Sequence, residues 1–222
     1  MTCPHCVDAD TFFGPRLARR DLDRYRRRGP SPTTRMLLDA IRTRGRVEGT
    51  TVLDVGGGVG AIQHELLDAG AIHATSVDAS GAYLAAAREE AERRGHAERL
   101  DQRLGDFVEL ADQVDPADVV TLDRVLCCYP DMPSLVEASA GRAGTLYGLV
   151  LPREGWWVRA GAALVNAVQA LLGRDFRVFV HPTPAVRAAV ESCGLRPVFS
   201  DRTFLWRVML FERREAGAHP PG

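Results

Sequence analysis

Residues 52–60 read Val-Leu-Asp-Val-Gly-Gly-Gly-Val-Gly, an apolar run that opens into a turn of four glycines. Glycines at Gly56, Gly58 and Gly60 permit positive φ and close approach of the backbone to a ligand, and a helix beginning there would aim free N–H groups at it. Asp54 stands two residues before the first glycine. A carboxylate in that place repels a pyrophosphate and attracts a cation. Three more acids follow at intervals: Asp78, with Ala79 beside it, after Thr75-Ser76-Val77; Asp106 in Gly105-Asp106-Phe107; and Asp123 after Val119–Leu122. Asp78 is placed to take the two hydroxyls of a ribose. Asp106 is placed to meet an amine, with the Phe107 ring next to it. One such acid alone reads as a cap or a surface charge. Four of them, each closing a strand after a glycine loop, read as a binding cradle.

Two further residues could move a proton. His181, in Val180-His181-Pro182, has an unperturbed pKa near 6.5 that suits a general base, against the plainer reading of a hydrogen bond at a turn. Tyr129, in Cys127-Cys128-Tyr129-Pro130, could act likewise or wall a pocket. Cys3 and Cys6, with His5 between them, have zinc-like spacing, but one such pair is half a tetrahedral site and no metal is expected.

These residues need a scaffold that brings strand ends together, and the chain alternates accordingly. Strands are expected at Thr51–Val55, His73–Val77, Leu100–Leu104, Asp118–Leu122 and Leu146–Leu151. Helices are expected at Ala61–Ala69, Ala82–Arg94 and Pro133–Ala143. Ahead of them, Phe13–Arg28 reads as a basic helix ended by Gly29-Pro30, and Thr33 or Thr34 as the cap of a helix through Arg44. Beyond Leu151 come a helix at Trp156–Leu172, a short strand at Phe176–Val180 and a helix at Thr183–Cys193. An antiparallel pair at Pro197–Asp201 and Leu205–Glu212 follows. The fold class is α/β: a Rossmann-like, seven-stranded, mostly parallel sheet with helices on both faces and an antiparallel C-terminal strand. Ligands of such sheets bind beyond the carboxyl ends of the strands. The helix at 156–172 bears an apolar stripe at Trp157, Ala160, Leu164, Val168 and Leu171, read as core packing or, alternatively, as a lid over a hydrophobic acceptor.

With the loop, Ser-Val-Asp-Ala-Ser at 76–80 and Gly-Asp-Phe at 105–107, residues 35–212 resemble the class I, Rossmann-like S-adenosylmethionine-dependent methyltransferases. More loosely, LDRVLCCYPD and FRVFVHP look similar to the magnesium-protoporphyrin O-methyltransferase family; the leading CPHC and the arginine-rich helix fall outside that likeness. The resemblance implies S-adenosylmethionine as cofactor, with Asp54 and Gly56–Gly60 around its methionine moiety. It implies Asp78 on the ribose, Asp106 with Phe107 at the adenine, and Asp123 and Arg124 near the methyl-transfer centre. O-methylation of a small apolar or carboxylate-bearing molecule is the expected activity. Gly56-x-Gly58-x-x-Ala61 also satisfies the relaxed dinucleotide fingerprint, so an NAD-type oxidoreductase is the alternative. A noncatalytic S-adenosylmethionine-binding module is the third reading.

Composition narrows the field. All 28 basic residues other than histidine are arginine, so Schiff-base chemistry and a P-loop lysine are excluded. Residues 1–46 hold eleven arginines against five aspartates, a net of +6 in a chain whose total is −1. That block is read either as a solvated basic helix or as a surface meeting a carboxylate-bearing substrate through Arg26–Arg28. No nucleic-acid motif accompanies it. Five cysteines and no signal peptide or spanning segment suggest a cytoplasmic chain with free thiols. The domain division expected is 1–32 as leader and basic helix and 33–214 as the binding domain, with 152–182 as lid or substrate insertion and 215–222 as a disordered tail. The partner expected is a small-molecule acceptor, and the sequence sets no oligomeric state.

Overall fold

The structure, a computed structural model, describes residues 10–214. Cys3, Cys6 and the tail 215–222 lie outside the described residues. Seven strands form one sheet in the order β3-β2-β1-β4-β5-β7-β6. They are β1 (Thr51–Val55), β2 (His73–Asp78), β3 (Leu100–Leu104), β4 (Ala117–Asp123), β5 (Ala143–Pro152), β6 (Leu195–Arg202) and β7 (Trp206–Arg213). The first five are parallel, with Leu53 opposite Thr75 on one side and Val120 on the other. β7 runs antiparallel to both β5 and β6.

Alternation along the strands fills two cores. Leu53, Val120 and Leu149 point into one layer, and Val52, Val119 and Val150 into the other, as a period of two residues requires when both faces are covered. The helices that cover them are α1 (Pro15–Arg28), α2 (Pro32–Arg44), α3 (Ala61–Asp68), α4 (Gly81–Arg94), the single turn α5 (Phe107–Leu110), α6 (Met132–Ala140), α7 (Trp156–Leu171) and α8 (Thr183–Ser192). α2 and α3 lie over Val52 and Val119; α6 and α8 lie over Leu53 and Val120. Strand order turns back between β1 and β4, so their carboxyl ends part and leave a crevice.

Three expectations need correction. The cap of α2 is Ser31, whose Oγ accepts from Thr34 N, rather than Thr33 or Thr34; with Pro32 at the first helical position the helix starts two or three residues earlier. No strand forms at 176–180. Its ladder groups are taken instead by the Asn166 side chain, which bonds both Val178 O (2.9 Å) and Val178 N (2.7 Å), and Phe179 N donates to Cys127 O. The apolar stripe of α7 does not pack into the core: Leu164 is 67% and Leu171 86% exposed.

α1 takes the opposite course. Ala18, Leu22 and Tyr25, at helical spacing, are buried against α4 and its neighbours. Its arginines are matched there, with Arg19 on Glu89 (3.1 Å) and Arg26 on Glu89 and Glu90 (both 2.8 Å). Glu90 is fully buried and also holds Arg93 and Arg94. Burial pushes its carboxyl up, but the three guanidiniums outweigh burial and hold it far below the usual carboxylate range.

Candidate active site

The crevice at the end of β1 and β4 holds a cavity of about 470 Å³, well inside the range for small-molecule sites. Its floor is the glycine loop. Gly56 sits at φ 63°, and a Cβ there would stand 2.6 Å from Val125 Cγ2. Only glycine fits both the backbone and the space.

Beneath the loop lies Asp54, 1% exposed. Thr121 Oγ1 donates to its Oδ1 at 2.7 Å, while Oδ2 has no partner among the described residues and points at the loop, 2.6 Å from where a Gly57 Cβ would be. Burial pushes the carboxyl up to about 7, against the Thr121 hydrogen bond and helped by the charges of Asp123 and Asp78. A buried carboxylate oxygen without a partner is costly unless a ligand brings it a positive charge or a donor. A pyrophosphate brings neither, which disfavours a dinucleotide.

The other acids follow in a row along the strand ends. Asp78 closes β2, accepting from Gly58 N (3.0 Å) through Oδ2 and from Ser80 N (2.8 Å) through Oδ1. It thereby ties the loop to the start of α4, and its two oxygens keep lone pairs that face the cavity with Ala79. Burial pushes its carboxyl up. Asp106 caps α5 by accepting from Val108 N (2.9 Å) and takes the Tyr129 hydroxyl at 3.0 Å; Phe107 lies beside it in the wall. Asp123 ends β4, accepts from Thr34 Oγ1, and pairs with Arg124 Nε at 3.0 Å.

A cradle of this donor set fits S-adenosylmethionine: a carboxylate with one oxygen unpartnered under the loop, a second at hydroxyl-binding position and a third beside an aromatic ring. The sequence agrees. A family described as "Methyltransferase domain" matches residues 46–149. Residues 46–149 are a class I methyltransferase domain. The release factor glutamine methyltransferase of Cereibacter sphaeroides is 30% identical over 179 residues, which are 76% of this chain and 60% of that protein. Among solved structures, the magnesium protoporphyrin IX methyltransferase of Synechocystis PCC 6803 with bound SAH has a TM-score of 0.71 at 18% identity, covering 95% of this chain and 100% of that one. The geranyl diphosphate C-methyltransferase of Streptomyces coelicolor A3(2) has the same TM-score at 12% identity, over 96% of this chain and 100% of its own. Identities this low establish the shared fold alone.

Within the cavity the structure gathers Asp54, Gly56, Gly58, Asp78, Ala79, Asp106, Phe107, Asp123 and Tyr129. Gly60, at φ 79°, starts α3 just beneath. His181 is placed otherwise. Its Nε2 donates to the carbonyls of Leu126 (2.9 Å) and Tyr129 (3.0 Å), and its ring stacks on Phe179, so it clamps the 173–182 segment instead of lining the cavity. Tyr129 lines the cavity but donates its hydroxyl to Asp106, which makes it a positioning residue for that carboxylate.

The upper half of the cavity comes from residues the sequence did not single out as site residues. Phe12 and Phe13, ahead of α1, meet Phe176, with Phe12 stacked on it at 4.2 Å and Phe13 edge-on at 5.5 Å. Asp21 and Arg24 of α1 and Trp206 of β7 complete the roof. Arg26–Arg28, expected at the substrate, are not among the lining residues; Arg26 is turned to Glu89 and Glu90. Arg124, noted from the sequence near Asp123, has a feature that only coordinates reveal. It holds φ 64°, a left-handed conformation that costs a non-glycine residue about 1–2 kcal/mol. The turn sends its guanidinium into the cavity, 5.9 Å from the Trp206 ring.

Proposed function

We propose that the protein transfers the methyl group of S-adenosylmethionine to an oxygen of a small apolar acceptor, and that this oxygen belongs to a carboxylate. The cofactor supplies an electrophilic methyl on a sulfonium. Asp54 and the glycine loop would hold its amino-acid end, Asp78 its ribose, and Asp106 with Phe107 its adenine. The acceptor reading rests on one observation: two arginines, Arg24 and Arg124, line the cavity together with Phe12, Phe13, Phe176, Val178 and Trp206, on the side away from the glycine loop. Each arginine is paired with its own acid, Arg24 with Asp21 at 3.2 Å and Arg124 with Asp123, and each keeps further N–H donors. A guanidinium at the edge of an apolar slot selects a planar anion.

A carboxylate acceptor also needs no general base. Attack by a carboxylate oxygen on the methyl carbon breaks the C–S bond, forms an ester and moves no proton, so positioning and exclusion of water supply the acceleration. A hydroxyl acceptor would need a base. His181 is committed to two carbonyls, and Asp123 to Thr34 and Arg124. The segment 152–182 acts as the lid, since Asn166 holds Val178 and Phe176 follows α7 into the roof. This aromatic roof favours a free small molecule over the glutamine named for the Cereibacter relative, whose length this chain spans only to 60%.

The test is transfer of a tritiated methyl group from S-adenosylmethionine to a panel of aromatic and aliphatic carboxylic acids and their matched phenols. Base-labile methyl esters are expected. Arg124→Ala should raise the acceptor KM about tenfold to a hundredfold, as loss of a charged hydrogen bond does, with the cofactor Kd unchanged. Labelling of phenols alone, or an Arg124→Ala variant with unaltered KM, overturns the carboxylate reading; cofactor binding without any labelled product favours a noncatalytic module. Cofactor affinity should fall by up to tenfold per pH unit below about pH 7, as Asp54 in the free protein takes up a proton and loses its pull on a cation. In Asp54→Asn the dependence should vanish.

A further inference from the structure

α7 is inside out. A helix on a soluble protein turns its apolar stripe to the core and its polar face to water. Here the side against the protein carries Asn166, which clamps Val178, and Gln169, 5% exposed. The opposite side carries Leu164, Val168 and Leu171 at 67%, 46% and 86% exposed. Arg159 is the single charged residue on the 16-residue helix. At its N-terminal end Trp156 is 78% exposed and meets Trp157 edge-on, and Trp157 stacks on Phe204, itself 71% exposed.

We infer that a second copy of this chain covers α7, through an antiparallel pairing of the two α7 helices about a two-fold axis at Leu164. Area supports it. Leu164, Val168, Leu171, Leu172, Trp156 and Phe204, each 46–86% exposed, leave roughly 800 Å² of apolar surface in water, taking about 200 Å² for a fully exposed large side chain. That exceeds the roughly 300–600 Å² of a monomer's largest patch and equals the roughly 800 Å² each partner gives to a standard interface.

Self-complementarity supports it as well. A two-fold at Leu164 sets Trp157 against Leu171 of the second copy and Ala160 against Val168, so a large side chain meets a smaller one on each side. The same register sets Glu154 against Arg174 and Arg153 against Asp175, which are opposite charges at both ends of the seam. An anionic lipid surface fits less well, because Glu154 and Asp175 are exposed at the two ends of the helix and would face it.

Sedimentation equilibrium of the full chain at tens of micromolar should give twice the 24.2 kDa chain mass. Leu164→Glu should weaken dimerisation at least about 100-fold, as loss of a central interface residue does. Its circular dichroism should not change, because Leu164 faces away from its own fold. Leu164→Cys, on the axis, should form an inter-chain disulfide under mild oxidation beyond the wild-type background, whereas Arg159→Cys, off the seam, should not. A monomeric wild type overturns the inference, including one that floats with vesicles of anionic phospholipid. A Leu164→Glu variant that stays dimeric overturns it too.

Discussion

The helices α1 and α7 flank the roof of one cavity and reverse what their compositions suggest. α1 carries the charge of its seven arginines less freely than its sequence implies: Arg19, Arg24 and Arg26 are each paired with an acid, and Ala18, Leu22 and Tyr25 are buried. α7 has one charged residue and looks like core, yet its leucines face solvent. The difference lies in what each helix meets. α4 offers α1 both an apolar groove and the acids Glu89 and Glu90. The segment below α7 offers unpaired backbone groups, which Asn166 satisfies, so polar residues turn inward there. A helix orients to satisfy the most expensive groups nearby, and composition alone does not say which those are.

The largest expected effect compares one leucine from each helix. Leu22, 0% exposed on α1, should lose about 2–5 kcal/mol of unfolding free energy when changed to alanine, the range for a buried leucine. Leu171→Ala on α7, placed in a Leu164→Glu background so that association plays no part, should stay within about 0.5 kcal/mol. Urea unfolding of the two variants measures both. Equal losses would dissolve the contrast between the helices.

The clamp on α1 comes next. Glu90→Gln removes the carboxylate that Arg26, Arg93 and Arg94 share, and should cost about 2 kcal/mol at neutral pH, below the full value for a buried pair because the arginines are partly hydrated. The sign of the pH effect follows from the depressed carboxyl. Its stabilisation is complete above the ordinary glutamate range, near pH 4.5, and is lost progressively as the pH falls toward the folded value. Wild-type thermal stability should therefore drop more steeply on acidification below about pH 4.5 than that of Glu90→Gln. Parallel curves would mean that the arginines hold α1 without Glu90.

The lower half of the site was legible in the sequence and the roof was not, for a physical reason. Asp54, Asp78, Asp106 and Asp123 each close a parallel strand, and parallel strands bring their carboxyl ends to one edge whatever the loops do. Four local signals therefore sum to one cradle. The roof joins Phe12, Asp21, Phe176 and Trp206, which are up to 194 positions apart, from 12 to 206, and share no period. One trace was present: Ala18, Leu22 and Tyr25 form a stripe along α1, and Glu89-Glu90 follows at a matching helix. His181 misled because a histidine before proline at the end of an apolar run looks like a strand-end base. That run is no strand, and the ring serves the carbonyls of Leu126 and Tyr129. Arg124 escaped full reading because a positive φ at a non-glycine residue leaves no mark in sequence.

The smallest effect tests where the two halves of the roof touch. Phe12, from the α1 side, and Phe176, from the α7 side, stack at 4.2 Å with their planes 8° apart. A stacked aromatic pair is worth about 0.5–1.5 kcal/mol beyond the area it buries, and a double-mutant cycle isolates that part. Phe12→Ala, Phe176→Ala and the double variant should show a coupling of that size in urea unfolding. The coupling should rise when S-adenosylmethionine is present if the ligand lies beneath the pair, because closing the roof and binding then favour each other. A coupling near zero in both conditions would mean that α1 and the 173–182 segment cover the cavity independently, each held by its own anchor: Glu90 for the first and Asn166 for the second.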